Sequence, residues 1–303
     1  MTDSRYESIS LQELDPSPVD ESPVDVEKGE YFPRQNDPTS PPARTSSLGL
    51  SGHSAIWWLT RVQRYSSYTF TAFLAAHITN TSLIPLLTRS LPASDTYLLL
   101  TRPYYQSPLM EPALIVIPLA LHITSGVALR LYRRHQSVTW YGAESRDERR
   151  TIAWPKLSGI SALGYALVPL ALGHSFVTRM IPLWVDGGSS GVGLQYVAHG
   201  FAKFPTTSTI WHAALVGIGS WHFAWGWAKW LGLTPDGTGS DVVDKQLRRK
   251  RKFYGVNIIS ALLAVLWMAG GLGVVGRGGK LTGWIGRAYD ELYKRVPILG
   301  KQP

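Results

Sequence analysis

Hydrophobic positions in this chain come in five long runs separated by short polar or basic breaks. A window of about nineteen residues, the length that crosses about 30 Å of hydrocarbon as a helix, centres them near 66–88, 110–132, 157–180, 208–232 and 254–276. The last run, "YGVNIISALLAVLWMAGGLGVVG", carries no charge over 23 residues, which a water-soluble bundle does not need and a bilayer does. The pattern predicts an all-α, polytopic membrane bundle of about five transmembrane helices. It also divides the chain into an N-terminal tail (1–52), a membrane domain (53–276) and a basic C-terminal segment (277–303). In that last segment Leu281, Trp284, Ile285 and Leu292 fall near one helical face, the spacing of an amphipathic helix.

Charge sharpens the picture. Residues 1–50 hold ten Asp/Glu and four Lys/Arg, a net of −6, so with a total of +9 the remainder of the chain carries +15. Much of that excess sits in "RRHQSVTWYGAESRDERR" and "DKQLRRKRK", the second and fourth breaks between spans, while the first and third breaks are nearly neutral. Lys and Arg are retained on the cytoplasmic side, which predicts a cytosolic N-terminus shared with both basic loops. Charge placed beside apolar runs is membrane-flanking charge, so nucleic acid is not an expected partner. The first 30 residues lack both the apolar core of a secretory signal and the arginines of a matrix presequence, which leaves the endoplasmic reticulum, the mitochondrial outer membrane or the plasma membrane.

Candidate chemistry is narrow. With zero Cys there is no disulfide framework, thiolate metal site or Cys nucleophile. No paired catalytic carboxylates, nucleophile motif or phosphate loop is present, and "GGLGVVGRGG" at a span end reads as small-residue packing, so the chain is not expected to be an enzyme or to bind a metal ion directly. Histidine is what stands out: His77, His122, His174, His212 and His222 lie inside the apolar runs and His199 just before the fourth. Ionisable groups in hydrocarbon need a partner or a purpose. His122, Gly126 and Arg130 follow one another at steps of four on one helix face, and Gly219 lies on the stripe of His222. A Gly one turn from a His leaves a recess for a porphyrin plane, and an Arg one turn further meets a propionate. By depth, His122 pairs with His77 or His222, and His174 with His212. Two readings stay open: axial ligation of a b-type haem, or hydrogen bonding between helices to which Thr79, Asn80 and Thr81 contribute.

The His-x-x-x-Gly spacing with a following Arg resembles the cytochrome b membrane anchors of succinate dehydrogenase and fumarate reductase, which implies an axial haem role for His122. In the anchors the Arg follows the Gly by two residues, where this chain has Ala128.

The tail is rich in Pro, Ser, Asp and Glu and cannot bury enough apolar surface to fold alone. Among its seven prolines only Pro16 and Pro18 are spaced two apart, stiffening the backbone toward polyproline II between the apolar anchors Leu11, Leu14 and Val19. A tail with one such Pro-x-Pro, joined to five spans bearing histidine, resembles the fungal mitochondrial outer-membrane adaptor family, whose founding role is multicopy suppression of lost contact-site tethers. The resemblance implies that the tail peptide recruits the bridge-like lipid-transfer protein VPS-thirteen and that membrane lipids are further partners. A haem b protein of electron transfer or haem handling, with no role for the tail, is the alternative, and a scaffold of the endoplasmic reticulum is a third.

Overall fold

Apolar sequence interrupted by proline decides how the spans bend. The computed structural model describes residues 54–235, 242–297 and 299, and among them every regular element is helical. The tail peptide of Leu11, Leu14, Pro16, Pro18 and Val19 lies outside the described residues. The first run folds as α1 (Ala55–Ile78), a π turn (Thr79–Leu83) and α2 (Ile84–Thr88). After α3 (Leu91–Gln106) a second π turn (Pro112–Val116) leads into α4 (Ile117–Trp140). Beyond α5 (Arg146–Thr151), α6 (Gly159–Ser175) passes through a third π turn (Phe176–Met180) into α7 (Ile181–Asp186). The chain continues as α8 (Leu194–Lys203), α9 (Pro205–Trp230), α10 (Val242–Gly271) and α11 (Gly283–Lys294).

Each π turn ends one residue short of the position before a proline: Pro85, Pro118 and Pro182. Proline brings no N–H and its ring collides with the carbonyl four residues back. In all three places the residue just before the proline donates instead to the carbonyl five residues back: Ile84 to Thr79, Ile117 to Pro112 and Ile181 to Phe176. The extra residue per turn absorbs the proline without ending the helix, and the backbone stays bonded inside the hydrocarbon.

Four stretches are long and apolar enough to cross a membrane: Ala55–Thr88, Pro112–Trp140, Gly159–Asp186 and Lys245–Arg277. The fifth expected span, 208–232, falls on α9, whose 26 residues reach about 39 Å at 1.5 Å each but whose Trp, Gly, Ser and His dilute its hydropathy. It packs along both α6 and α10, the two most extensive helix pairings. Asn257 of α10 accepts hydrogen bonds from the indoles of Trp221 (3.1 Å) and Trp225 (3.4 Å) on α9, polar contacts that join the two helices where hydrophobic driving force is weak.

Contacts along the bundle set the helix directions. The start of α6 and the second half of α9 meet α1 and α4 near one end, while the ends of α1, α6 and α10 meet the start of α9 at the other. Successive long helices therefore run in alternating directions. The first end carries the basic breaks; there Arg134 donates to the carbonyls of Ile152 (2.7 Å) and Ala153 (3.0 Å), and its guanidinium lies 5.1 Å over Trp154. The other end is capped by α3, α8 and α11. Arg179 pairs with Glu111 there, joining the end of the third span to the start of the second.

The cap has its own core of Ile181, Tyr196, Phe204, Leu292 and Tyr293. Asp95 of α3 accepts from the Leu194 N–H (2.7 Å) and so caps the free N–H groups of α8. The Tyr293 ring stacks on Tyr196 at 4.6 Å, and its hydroxyl donates to the Tyr196 carbonyl (3.1 Å). The amphipathic C-terminal helix is thus docked, with Leu292 buried on α8, while Trp284 from the same expected face is 73% exposed.

Candidate functional site

Five of the membrane histidines gather at two levels of the bundle. Toward the basic end, the rings of His122 on α4 and His222 on α9 lie 6.0 Å apart, centroid to centroid, at an interplanar angle of 82°. His122 Nδ1 is 3.2 Å from the Gln63 carbonyl oxygen and His222 Nδ1 is 3.0 Å from that of Ile160. A carbonyl only accepts, so both Nδ1 atoms carry the proton and both Nε2 atoms keep a lone pair. The His222 ring reaches this place because α6 has Gly164 beneath it, where a Cβ would stand 2.9 Å from the ring.

Nearer the cap, the rings of His77 and His174 lie 5.8 Å apart at 72°, and Phe73 stacks on His77 at 5.3 Å. His212 lies within electrostatic reach of both. Its ring rests on Gly271 of α10, where a Cβ would lie 2.5 Å from Nε2, and that Nε2 is buried without a hydrogen-bond partner among the described residues. The ring contacts therefore join His122 to His222 and His77 to His174, with His212 as a third member of the second group. Thr81 donates to the His77 carbonyl (2.7 Å) and Asn80 to the Ala76 carbonyl (2.8 Å), so these side chains bond to their own helix and not to an imidazole.

The donors at the first level suit an axial pair. Two imidazoles bound to one metal at about 2 Å each set their ring centres about 6 Å apart, and a ligating histidine usually fixes its other nitrogen on a carbonyl or carboxylate, as Gln63 and Ile160 do here. The walls are occupied by protein. A Cβ on Gly126 would stand 2.9 Å from the Gln63 amide nitrogen, one on Gly219 would lie 3.7 Å from Leu167 Cδ1, and the Arg130 guanidinium lies 5.7 Å over Trp154. Because the atom against Gly126 is the far end of a flexible side chain, rotation of Gln63 alone opens the recess beside His122. The imidazole pair thus suits a haem iron, and swinging the Gln63 amide away clears the side chain against Gly126 while Leu167 still stands over Gly219. Among the described residues no group of three His, Asp or Glu is placed to hold a metal ion.

One polar cluster has no counterpart in the sequence reading. His199, fully buried, accepts the Leu281 N–H at Nδ1 (3.1 Å), which puts its proton on Nε2, 3.1 Å from Asp290. Lys203 reaches the same carboxylate oxygen at 2.5 Å. Burial pushes the Asp290 carboxyl up, but hydrogen bonds from Lys203 and His199 outweigh it and leave the group below the usual carboxylate range. The one sequence signal was a His just outside a span with an Asp on the amphipathic helix that follows the last one.

Residues 169–280, which contain His174, His199, His212, His222 and Gly219, match the family described as MDM10-complementing protein 1, transmembrane domain. No curated protein and no solved structure matches the chain, and nothing matched supports the likeness to cytochrome b anchors.

Proposed function

We propose that this chain, a membrane protein of the MDM10-complementing protein 1 type, is a non-enzymatic adaptor at a mitochondrial contact site. The match of residues 169–280 to that family's transmembrane domain is the observation that carries the reading, together with the single Pro-x-Pro of the tail. In this reading the spans lie in the mitochondrial outer membrane with the tail in the cytosol. Leu11, Leu14, Pro16, Pro18 and Val19 form the peptide that recruits a bridge-like lipid-transfer protein of the VPS-thirteen type. A weak peptide site suffices, because every copy shares one surface with a partner that also touches lipid, and the local concentration does the rest. The outcome is lipid supply to mitochondria. Replacing Pro16 and Pro18 by Ala is expected to cut the fraction of the tagged partner at mitochondria by about tenfold, since losing the stiff polyproline II core costs over about 1 kcal/mol and avidity amplifies the loss. Unaltered recruitment in fluorescence images of cells carrying the double variant would sink the proposal.

A second reading rests on the 6.0 Å pair of His122 and His222, whose Nδ1 atoms are both fixed on carbonyls. In it His122 and His222 would hold a b-type haem, with Gly126 and Gly219 beside them, and the group would supply one-electron chemistry. His77, His174 and His212 form the second such group. Protein purified after haem supplementation is expected to show a b-type alpha band in its reduced-minus-oxidised spectrum, and His122→Ala to remove that band. A featureless spectrum from the folded protein rules the reading out.

A further inference from the structure

At the cap end a groove of about 770 Å³ opens between the end of α2, the start of α3, α8 and the segment that follows α10. Leu86, Leu91, Val274 and Leu281 give it an apolar wall, and Arg89 and Arg277 line it from two segments far apart in sequence. Neither guanidinium makes a hydrogen bond or ion pair with a described residue, and no carboxylate lines the groove. Both arginines stand where a span stops: one candidate span ends at Thr88, the residue before Arg89, and another ends at Arg277. Exposed Trp184 and Trp284 at the same end mark the depth at which aromatic side chains meet headgroups. Arg89 is, among the described residues, the one non-glycine residue with positive φ (50°), in the helix-ending position usually given to Gly or Asn. A strained backbone that holds an unpaired cation at a groove is a pattern of ligand sites.

We propose that this groove binds one anionic phospholipid, its phosphate between Arg89 and Arg277 and its acyl chains along the apolar wall. Guanidinium groups suit phosphate oxygens, and two of them at headgroup depth favour a net negative headgroup over a zwitterionic one. The inference stands apart from the adaptor reading: it uses no residue of the tail and no histidine.

The test uses the full chain in phosphatidylcholine nanodiscs carrying a minor fraction of diazirine-labelled phosphatidic acid. After irradiation, label is expected in peptides covering 86–92 and 269–281, with yield falling about fivefold for each arginine removed in R89Q, R277Q and the double variant. R89K/R277K, which keeps the charge, is expected to retain most of the labelling. Loss in R89K/R277K equal to that in R89Q/R277Q would reduce the arginines to a structural role and overturn the proposal. So would equal labelling by diazirine phosphatidylcholine, which shows acyl contact alone, or abolition by excess inorganic phosphate, which makes the site one for free anions.

Discussion

Gly270→Ala is expected to destabilise the folded chain by about 2–3 kcal/mol, and Gly255→Ala on the same helix to stabilise it by about 0.5 kcal/mol. Both residues sit on α10 and lose the same backbone freedom when a methyl is added. They differ in what faces them. A Cβ on Gly270 would enter the backbone carbonyl and hydroxyl of Ser82, with the Ser82 carbonyl carbon only 2.6 Å away, whereas nothing lies within 4 Å of one on Gly255. Ser82 has no room to retreat: it is fully buried in the π turn after α1, and its hydroxyl donates to the Trp267 carbonyl at 2.7 Å. A backbone obstacle cannot rotate aside as a side chain does, so the clash forces α1 and α10 apart and loses that hydrogen bond. Thermal unfolding of the purified full chain in detergent reads both variants. Equal shifts of one sign would show that close approach at Ser82 is not what holds the two helices.

His199→Ala is expected to cost about 3 kcal/mol and to release α11 from α8. The imidazole is fully buried and engages both nitrogens, so truncation leaves the Leu281 N–H unpaired and takes one of the two donors from Asp290. Hydrogen exchange over 283–294 is the readout, expected to rise in His199→Ala while the long helices stay protected. The pH dependence has a defined sign. Asp290 is held below its unfolded value of about 4, so its stabilisation is present above that value and fades as pH falls through the lower folded one. Exchange in α11, corrected for intrinsic rates, is therefore expected to rise below about pH 4, and Asp290→Asn to remove that rise. A docked α11 in His199→Ala would mean that the tyrosine stack alone holds it.

Much of the membrane domain is legible in the order of apolar and charged residues, because a bilayer accepts few other patterns. Four of the five runs emerge as spans at nearly the expected places, and α9 falls short in hydropathy where Trp211 packs on α6, Trp221 and Trp225 bond to α10 and Trp227 stacks on Tyr68 of α1 in place of aliphatic side chains. Depth alone brought His122 toward His222 and His174 toward His212. It did not bring His77 to His174, since the first span begins at Ala55 and not near 66, which carries His77 past the middle toward the cap. The wall of the imidazole level was also out of view: that Gln63 would lie on Gly126 depends on how α1 crosses α4. The His199 latch joins residues 91 apart through a polar contact, and hydrophobic pattern is silent about those. The tail peptide is legible only as sequence.

The three proline joints share one feature of position: all lie toward the cap end, at the close of the first and third spans and the opening of the second. Toward the basic end the same helices hold no π turn among the described residues, and Pro169, inside α6, removes one i→i+4 hydrogen bond there. Bending stiffness is consequently unequal between the two leaflets, with three π-turn joints in one and the single break at Pro169 in the other. A change in bilayer thickness or lateral pressure is therefore expected to be taken up more at these joints, beside the groove of Arg89 and Arg277, than at the level of His122 and His222.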